Sequence, residues 1–115
     1  MKLLIDIDNT ICETKTSDYL ESTPHKKLIE HFNKLHDNGV HITYYTARGG
    51  NSGKDWTYVT ANQLKEWGVK YSKLMMHKPS YDLWIDDRCI NVRDYIKDND
   101  IVENKASLVI ISYGY

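Results

Sequence analysis

Hydrophobic residues fall in short runs along this chain, and the runs alternate between two periods. Residues 2–8, KLLIDID, set an apolar body before an acidic exit, which predicts a strand leaving the core at its carboxyl end. Residues 24–38 carry Leu28, Ile29, Phe32 and Leu35 at helical spacing, with Thr23 to cap, Pro24 in the first turn and Gly39 to stop. HITYYT, 41–46, is rich in β-branched and aromatic residues and predicts a second strand. After a loop over 47–55, ARGGNSGKD, the stretch from Trp56 to Trp67 places Trp56, Val59, Leu64 and Trp67 on a helix ended by Gly68. YSKLMM, 71–76, and YDLWID, 81–86, predict short strands around a break at Pro79 and Ser80. Residues 90–98 predict a short helix, and SLVIISY, 107–113, a last strand.

The order β-α-β-α-β-β-α-β predicts an α/β fold with a mostly parallel central sheet of about five strands and helices on both faces. With no repeat, linker or low-complexity tract, residues 1–115 read as a single domain. Ligands of such sheets gather at the carboxyl ends of the strands. Asp6, Asp8, Thr46, Lys78, Asp86 and Asp87 all sit at predicted strand exits.

Composition narrows the function classes. The 15 basic and 16 acidic residues nearly cancel, so the basic excess of a nucleic-acid-coating protein is missing. Cys12 and Cys89 form no CxxC pair and read as reduced thiols. No apolar stretch approaches the ~20 residues that span a bilayer. MKLLIDID turns acidic too early for a signal peptide, so a cytoplasmic protein without a membrane partner is expected.

The chemistry lies in the acids and their companions. Alternation in a strand points Asp6 and Asp8 to the same side, where two bare carboxylates raise one another's pKa. A divalent cation relieves this, and a hard oxygen site with few protein ligands suggests Mg²⁺. Asp86 and Asp87 repeat the pattern behind an apolar run and can converge on the same ion. Thr46 can donate its hydroxyl to an anion, and Lys78 can neutralise one. Singly, each of these residues is as well explained as an ordinary strand or surface residue. Together they are far more specific. Two decoys fall away: RGGNSGKDW fails the P-loop pattern, because three residues separate Gly49 from Gly53 and Asp55 stands where Ser or Thr belongs. The histidines offer no HxxxH pair.

The motifs DIDNT, TAR, HKPSYD and WIDD, in that order from Met1 to about Asp94, resemble those of the haloacid dehalogenase (HAD) superfamily, mostly Mg²⁺-dependent phosphatases. The first motif of that family is commonly DxDGT, so Asn9 departs from it, although Asn tolerates the left-handed backbone of a turn. The resemblance implies a Rossmann-like HAD fold and an aspartyl-phosphate intermediate on Asp6. Asp8 would be the general acid and base, with its backbone carbonyl on the metal. Thr46 and Lys78, with Asn9 and Ala47, would hold the phosphoryl group. Asp6, Asp8, Asp86 and Asp87 would form the Mg²⁺ site. Arg48 and Lys54, on the loop after Thr46, border the expected pocket and could bind a second anionic group of the substrate.

Neither the 11–23 stretch nor the 47–55 loop is long enough for a cap domain of the kind that covers many sites in this family. An open site takes a large or extended substrate, or is covered by a neighbouring subunit in a homo-oligomer. The TARG…SGKDW…KPSYDLWIDD layout is similar to that of capsule and polysaccharide biosynthesis phosphatases, which favours a sugar phosphate or another small phosphomonoester. IDDR and the Arg-containing loop also resemble the phosphatase part of phage polynucleotide end-healing enzymes, making a nucleotide or nucleic-acid 3′-phosphate the alternative. A signalling receiver domain shares the residue types in the wrong order. A non-catalytic HAD-like binding module is the remaining rival.

Overall fold

In the computed structural model, which describes residues 1–16, 18–50 and 53–101, the first apolar run is strand β1, Lys2–Asp6. A short antiparallel ribbon follows, β2 (Cys12–Glu13) with β3 (Thr23–Pro24), enclosing a 3-10 turn at Tyr19–Glu21. Then come α1 (Lys26–Asp37), β4 (His41–Tyr45), α2 (Thr57–Glu66), β5 (Lys73–Met75) and α3 (Val92–Asp98). β1, β4 and β5 form a parallel three-stranded sheet in that spatial order.

Register decides which face of the sheet is core. Leu3 pairs with Ile42, Ile5 with Tyr44, and Tyr44 with Leu74, so these residues share one face. Ile5, Ile42 and Tyr44 are buried there, together with Leu28 and Phe32 of α1 and Leu64 of α2. Leu4, on the other face, is 58 % exposed. The connections explain the asymmetry. Both crossovers step the same way along the sheet, and right-handed crossovers then put α1 and α2 on the same side. Asn33 of α1 bonds the Gly68 carbonyl and the Lys70 amide just past α2, and Tyr95 of α3 packs on Phe32 of α1 with ring centres 5.4 Å apart. The described helices therefore gather on one face, where the sequence predicts both.

Two further expectations change. Thr23 does not cap α1. It pairs with Glu13 in the ribbon, and the helix starts at Lys26 after His25. The strand predicted at 81–86 does not form, and Leu83 and Ile85 are 75 % and 88 % exposed. Its end is curled by local bonds: Asp86 accepts from the Arg88 amide at 3.1 Å and the Trp84 indole at 3.3 Å. Such side-chain bonds compete with a sheet ladder for the same chain. The strand predicted at 107–113 lies outside the described residues. The described sheet thus has three strands where about five are predicted.

The chain between β1 and α1 holds the ribbon and its turn, with no cap domain there or between β4 and α2 among the described residues. No helix among the described residues is long and apolar enough to cross a membrane. Both cysteines are free thiols.

Candidate active site

β1 ends on Asp6, and the chain turns at once. Ile7 is fully buried, and its carbonyl accepts from both the Thr10 amide (3.1 Å) and the Ile11 amide (3.0 Å). The turn puts Asn9 at φ 61°, the left-handed region that Asn tolerates, and its Oδ1 accepts from the Thr14 amide at 3.0 Å. A β-branched side chain is strained at that φ. Asn9→Val is expected to cost about 2 kcal/mol, and Asn9→Gly about 1 kcal/mol, because glycine meets no steric strain at that φ and loses only one bond and some backbone entropy. Urea denaturation of the two variants checks this.

Asp6 holds two partners. Its Oδ2 accepts from the Thr10 hydroxyl at 2.9 Å, and its Oδ1 lies 3.2 Å from Lys78 Nζ. Lys78 arrives there because His77 takes φ 65° beyond β5, and because the Lys78 amide bonds the Thr46 carbonyl at 2.9 Å. Burial raises the Asp6 carboxyl above its ordinary 3.8, against the downward pull of Lys78 and Thr10. For the Lys78 ammonium, burial by itself acts downward, but bonds to Tyr81 and Asp6 outweigh it and the net shift is upward. An ion pair alone would lower the acid while raising the base. Desolvation therefore governs the carboxylate, while the partners govern the ammonium.

Asp8 is held more tightly. Arg48 grips it with both arms of the guanidinium, Nε to Oδ2 at 2.9 Å and Nη2 to Oδ1 at 2.8 Å. The Thr14 hydroxyl adds a bond to Oδ1 at 2.6 Å. From its place in the sequence Arg48 could bind a second anionic group of the substrate. It is instead 1 % exposed and turned inward. Gly49, at φ 82°, makes the reversal, since a Cβ there would overlap the Lys54 carbonyl. The guanidinium then lies over the Tyr19 ring at 4.6 Å and donates to Gln63 at 2.7 Å and Thr60 at 3.3 Å. Sequence reasoning missed this socket. Its available signal is Thr60 and Gln63, three apart on the inward side of α2.

Asp6 and Asp8 open onto a cleft of about 260 Å³, lined also by Ala47, Lys78 and the 79–81 segment. Thr46 is buried, and its hydroxyl accepts from the Arg48 amide at 3.1 Å, so it shapes the loop and does not line the cleft. Asn9 and Lys54 do not line it either, and the Lys54 ammonium lies over the Trp56 ring at 4.3 Å. Tyr81, which sequence reasoning did not single out, does line it. Its ring is 5.0 Å from Lys78 Nζ and 5.3 Å from the Trp84 ring.

Asp86 and Asp87 stay outside. Both are exposed, and Asp87 makes a 3.7 Å contact with its neighbour Arg88. A Mg²⁺ ion takes about six oxygens in a strict octahedron. Asp6 and Asp8 come together, but the Asp8 carboxylate is engaged by Arg48 and Thr14, which leaves its backbone carbonyl as its ligand, and the second acidic pair does not join them at the cleft. Among the described residues no group of three or more His, Cys, Asp or Glu side chains is gathered closely enough to hold a metal. The donor set in place does not fit a complete Mg²⁺ site.

No family model and no curated protein matches this chain. Among solved structures, it is similar to the crystal structure of a structural-genomics target from Vibrio cholerae, with a TM-score of 0.74 and 27 % sequence identity. The match covers 96 % of this chain and 94 % of that one, and the two share an α/β architecture.

Proposed function

We propose that this chain is a cytoplasmic phosphomonoester hydrolase of the haloacid dehalogenase type, working through an aspartyl-phosphate on Asp6. One observation carries the reading: Asp6 at the end of β1 and Asp8 just past it line one open cleft beside the Lys78 ammonium, 3.2 Å from Asp6. In the first step an Asp6 carboxylate oxygen bonds to phosphorus as the ester oxygen departs, taking a proton from Asp8. In the second, water attacks phosphorus, Asp8 takes back a proton, and the Asp6–phosphorus bond breaks to release phosphate. Lys78 offsets charge on the phosphoryl oxygens throughout. Ala47 stands at the wall of the cleft.

Mg²⁺ is the cofactor that the motif resemblance implies. Its test is loss of turnover on adding EDTA and recovery with excess Mg²⁺. The preferred substrate is a sugar phosphate or similar small ester. The openness of the cleft supports a polynucleotide 3′-phosphate as the second reading, and cover by another subunit is compatible with either. A screen of sugar phosphates, nucleotides and 3′-phosphorylated oligonucleotides separates them. Preference for the oligonucleotide by more than about tenfold, roughly 1.4 kcal/mol at the transition state, would reverse the choice. Absence of turnover on the whole panel, by wild type and Asp6→Asn alike, would favour a binding module.

Lys78 gives this reading a pH test. The nucleophile must be ionised, so the acidic limb of kcat/KM should lie above the ordinary aspartate value of 3.8. Lys78 pulls the Asp6 carboxyl downward, so Lys78→Ala should move that limb to higher pH and lower kcat/KM by about 100-fold. A limb that stayed put would separate the lysine from Asp6.

A further inference from the structure

Asp8 is the proton carrier in the reading above, and what stands behind it is unusual for a surface cleft. A guanidinium with no exposed side-chain surface lies directly behind a carboxylate that is 22 % exposed. Four of the five N–H donors of that guanidinium are engaged: two bonds go forward to Asp8, one sideways to Gln63 and one to Thr60, with the Tyr19 ring across its face. Gln63 is itself anchored, donating to the Tyr19 carbonyl at 2.6 Å. An arginine fork has one geometry in which both arms meet a carboxylate, so a fixed fork fixes the carboxylate plane.

The two oxygens of Asp8 are left unequal. Oδ1 receives Arg48 Nη2 and the Thr14 hydroxyl, with the Cys12 thiol at 3.8 Å, whereas Oδ2 receives Arg48 Nε. Proton exchange needs a lone pair in a defined direction, and Oδ2 keeps more of its capacity free. We propose that Arg48, braced by Gln63, Thr60 and Tyr19, is the positioning residue of this site, orienting Asp8 so that Oδ2 exchanges the proton with the leaving oxygen and the attacking water. This rests on the phosphoryl-transfer reading. It also gives Arg48 a role other than binding a second anion of the substrate.

The test uses two variants and two esters. Arg48→Lys keeps the charge and loses the fork. Gln63→Met keeps the volume and removes the brace while leaving the Arg48–Asp8 pair in place. Phenyl phosphate needs its leaving oxygen protonated far more than p-nitrophenyl phosphate does. A misplaced Asp8 should therefore lower kcat on phenyl phosphate by about 100-fold in Arg48→Lys and about tenfold in Gln63→Met, with losses on p-nitrophenyl phosphate several-fold smaller. KM should stay within about twofold for both, because neither residue lines the cleft. Near-UV circular dichroism establishes that each variant is folded. Because removal of a buried fork can unfold the chain, Gln63→Met decides the matter wherever Arg48→Lys does not fold.

Equal losses on the two esters, or a rise in KM with kcat unchanged, would overturn the positioning role and leave phosphoryl transfer standing. A wild-type protein that neither hydrolyses the esters nor takes beryllium fluoride on Asp6, read by fluorine NMR with Mg²⁺ present, would remove both. Beryllium fluoride uptake retained in Arg48→Lys with the graded kcat loss is the result expected.

Discussion

Asp6→Asn should abolish phosphate release from an aryl phosphate, lowering kcat by at least about 10³-fold, while leaving the protein folded. The amide keeps an oxygen for the Thr10 hydroxyl and is nearly the same size, so packing at the exit of β1 is unchanged. Stability should change little, because two effects oppose. The Asp6 carboxyl is raised by burial, so its contribution to stability is present below the ordinary value of 3.8 and lost as pH rises through the folded-state value. Asn never ionises and escapes that loss at neutral pH. Against this, Lys78 loses its ionic partner. The Asp6 side chain is 34 % exposed, so water screens both terms. Melting curves should show wild type losing ground relative to Asp6→Asn as pH rises from 3.5 to 7, an interval of roughly the span over which a displaced carboxyl titrates. A wild type that gained on the variant over that interval would contradict the burial-dominated account of Asp6, and residual turnover above about 1 % would exclude Asp6 as nucleophile.

Ile7→Ala should be the most damaging change outside the chemistry. Ile7 is fully buried between the two aspartates, and truncating a buried isoleucine costs about 2–5 kcal/mol. Its carbonyl closes the turn that sets Asp8, so a relaxed cavity there also loosens the spacing of the two acids. Chemical denaturation should show the destabilisation with an unchanged m-value. Turnover measured well below the new melting point should fall as well. Ile7→Val, at about 0.5–1.5 kcal/mol, gives the matching mild case. A core residue elsewhere, Leu28 on α1, provides the contrast: Leu28→Ala should lose comparable stability and keep its turnover. Equal kinetic damage from both would mean that the site depends on overall stability rather than on the turn.

Much of this molecule was legible residue by residue. The apolar-then-acidic run gave β1 with Asp6 at its end, and β4, α1, α2 and α3 formed within a few residues of their predicted bounds. The left-handed Asn9 followed from its side-chain chemistry. These features depend on period, branching and turn preference, all of which are local. The ribbon at Cys12 and Thr23 escaped notice because two-residue strands carry no periodicity. The 81–86 run misled for the opposite reason: Leu83 and Ile85 look like core, but nothing local records whether a neighbouring strand is there to receive them.

The sequence by itself determined the order of strands and helices and the exit of two aspartates from the first strand. It also placed a lysine just past the third strand of the sheet. Only the tertiary structure decided what those groups meet. Asp6 and Lys78 are 72 positions apart, and Asp8 and Arg48 are 40 apart. Arg48 could be read as a substrate hook until the reversal at Gly49 carried it under Asp8, and Thr46 as a phosphate donor until the same loop buried it. A charged side chain takes its role from the partners that desolvate and bond it, and those partners are chosen by packing across the chain.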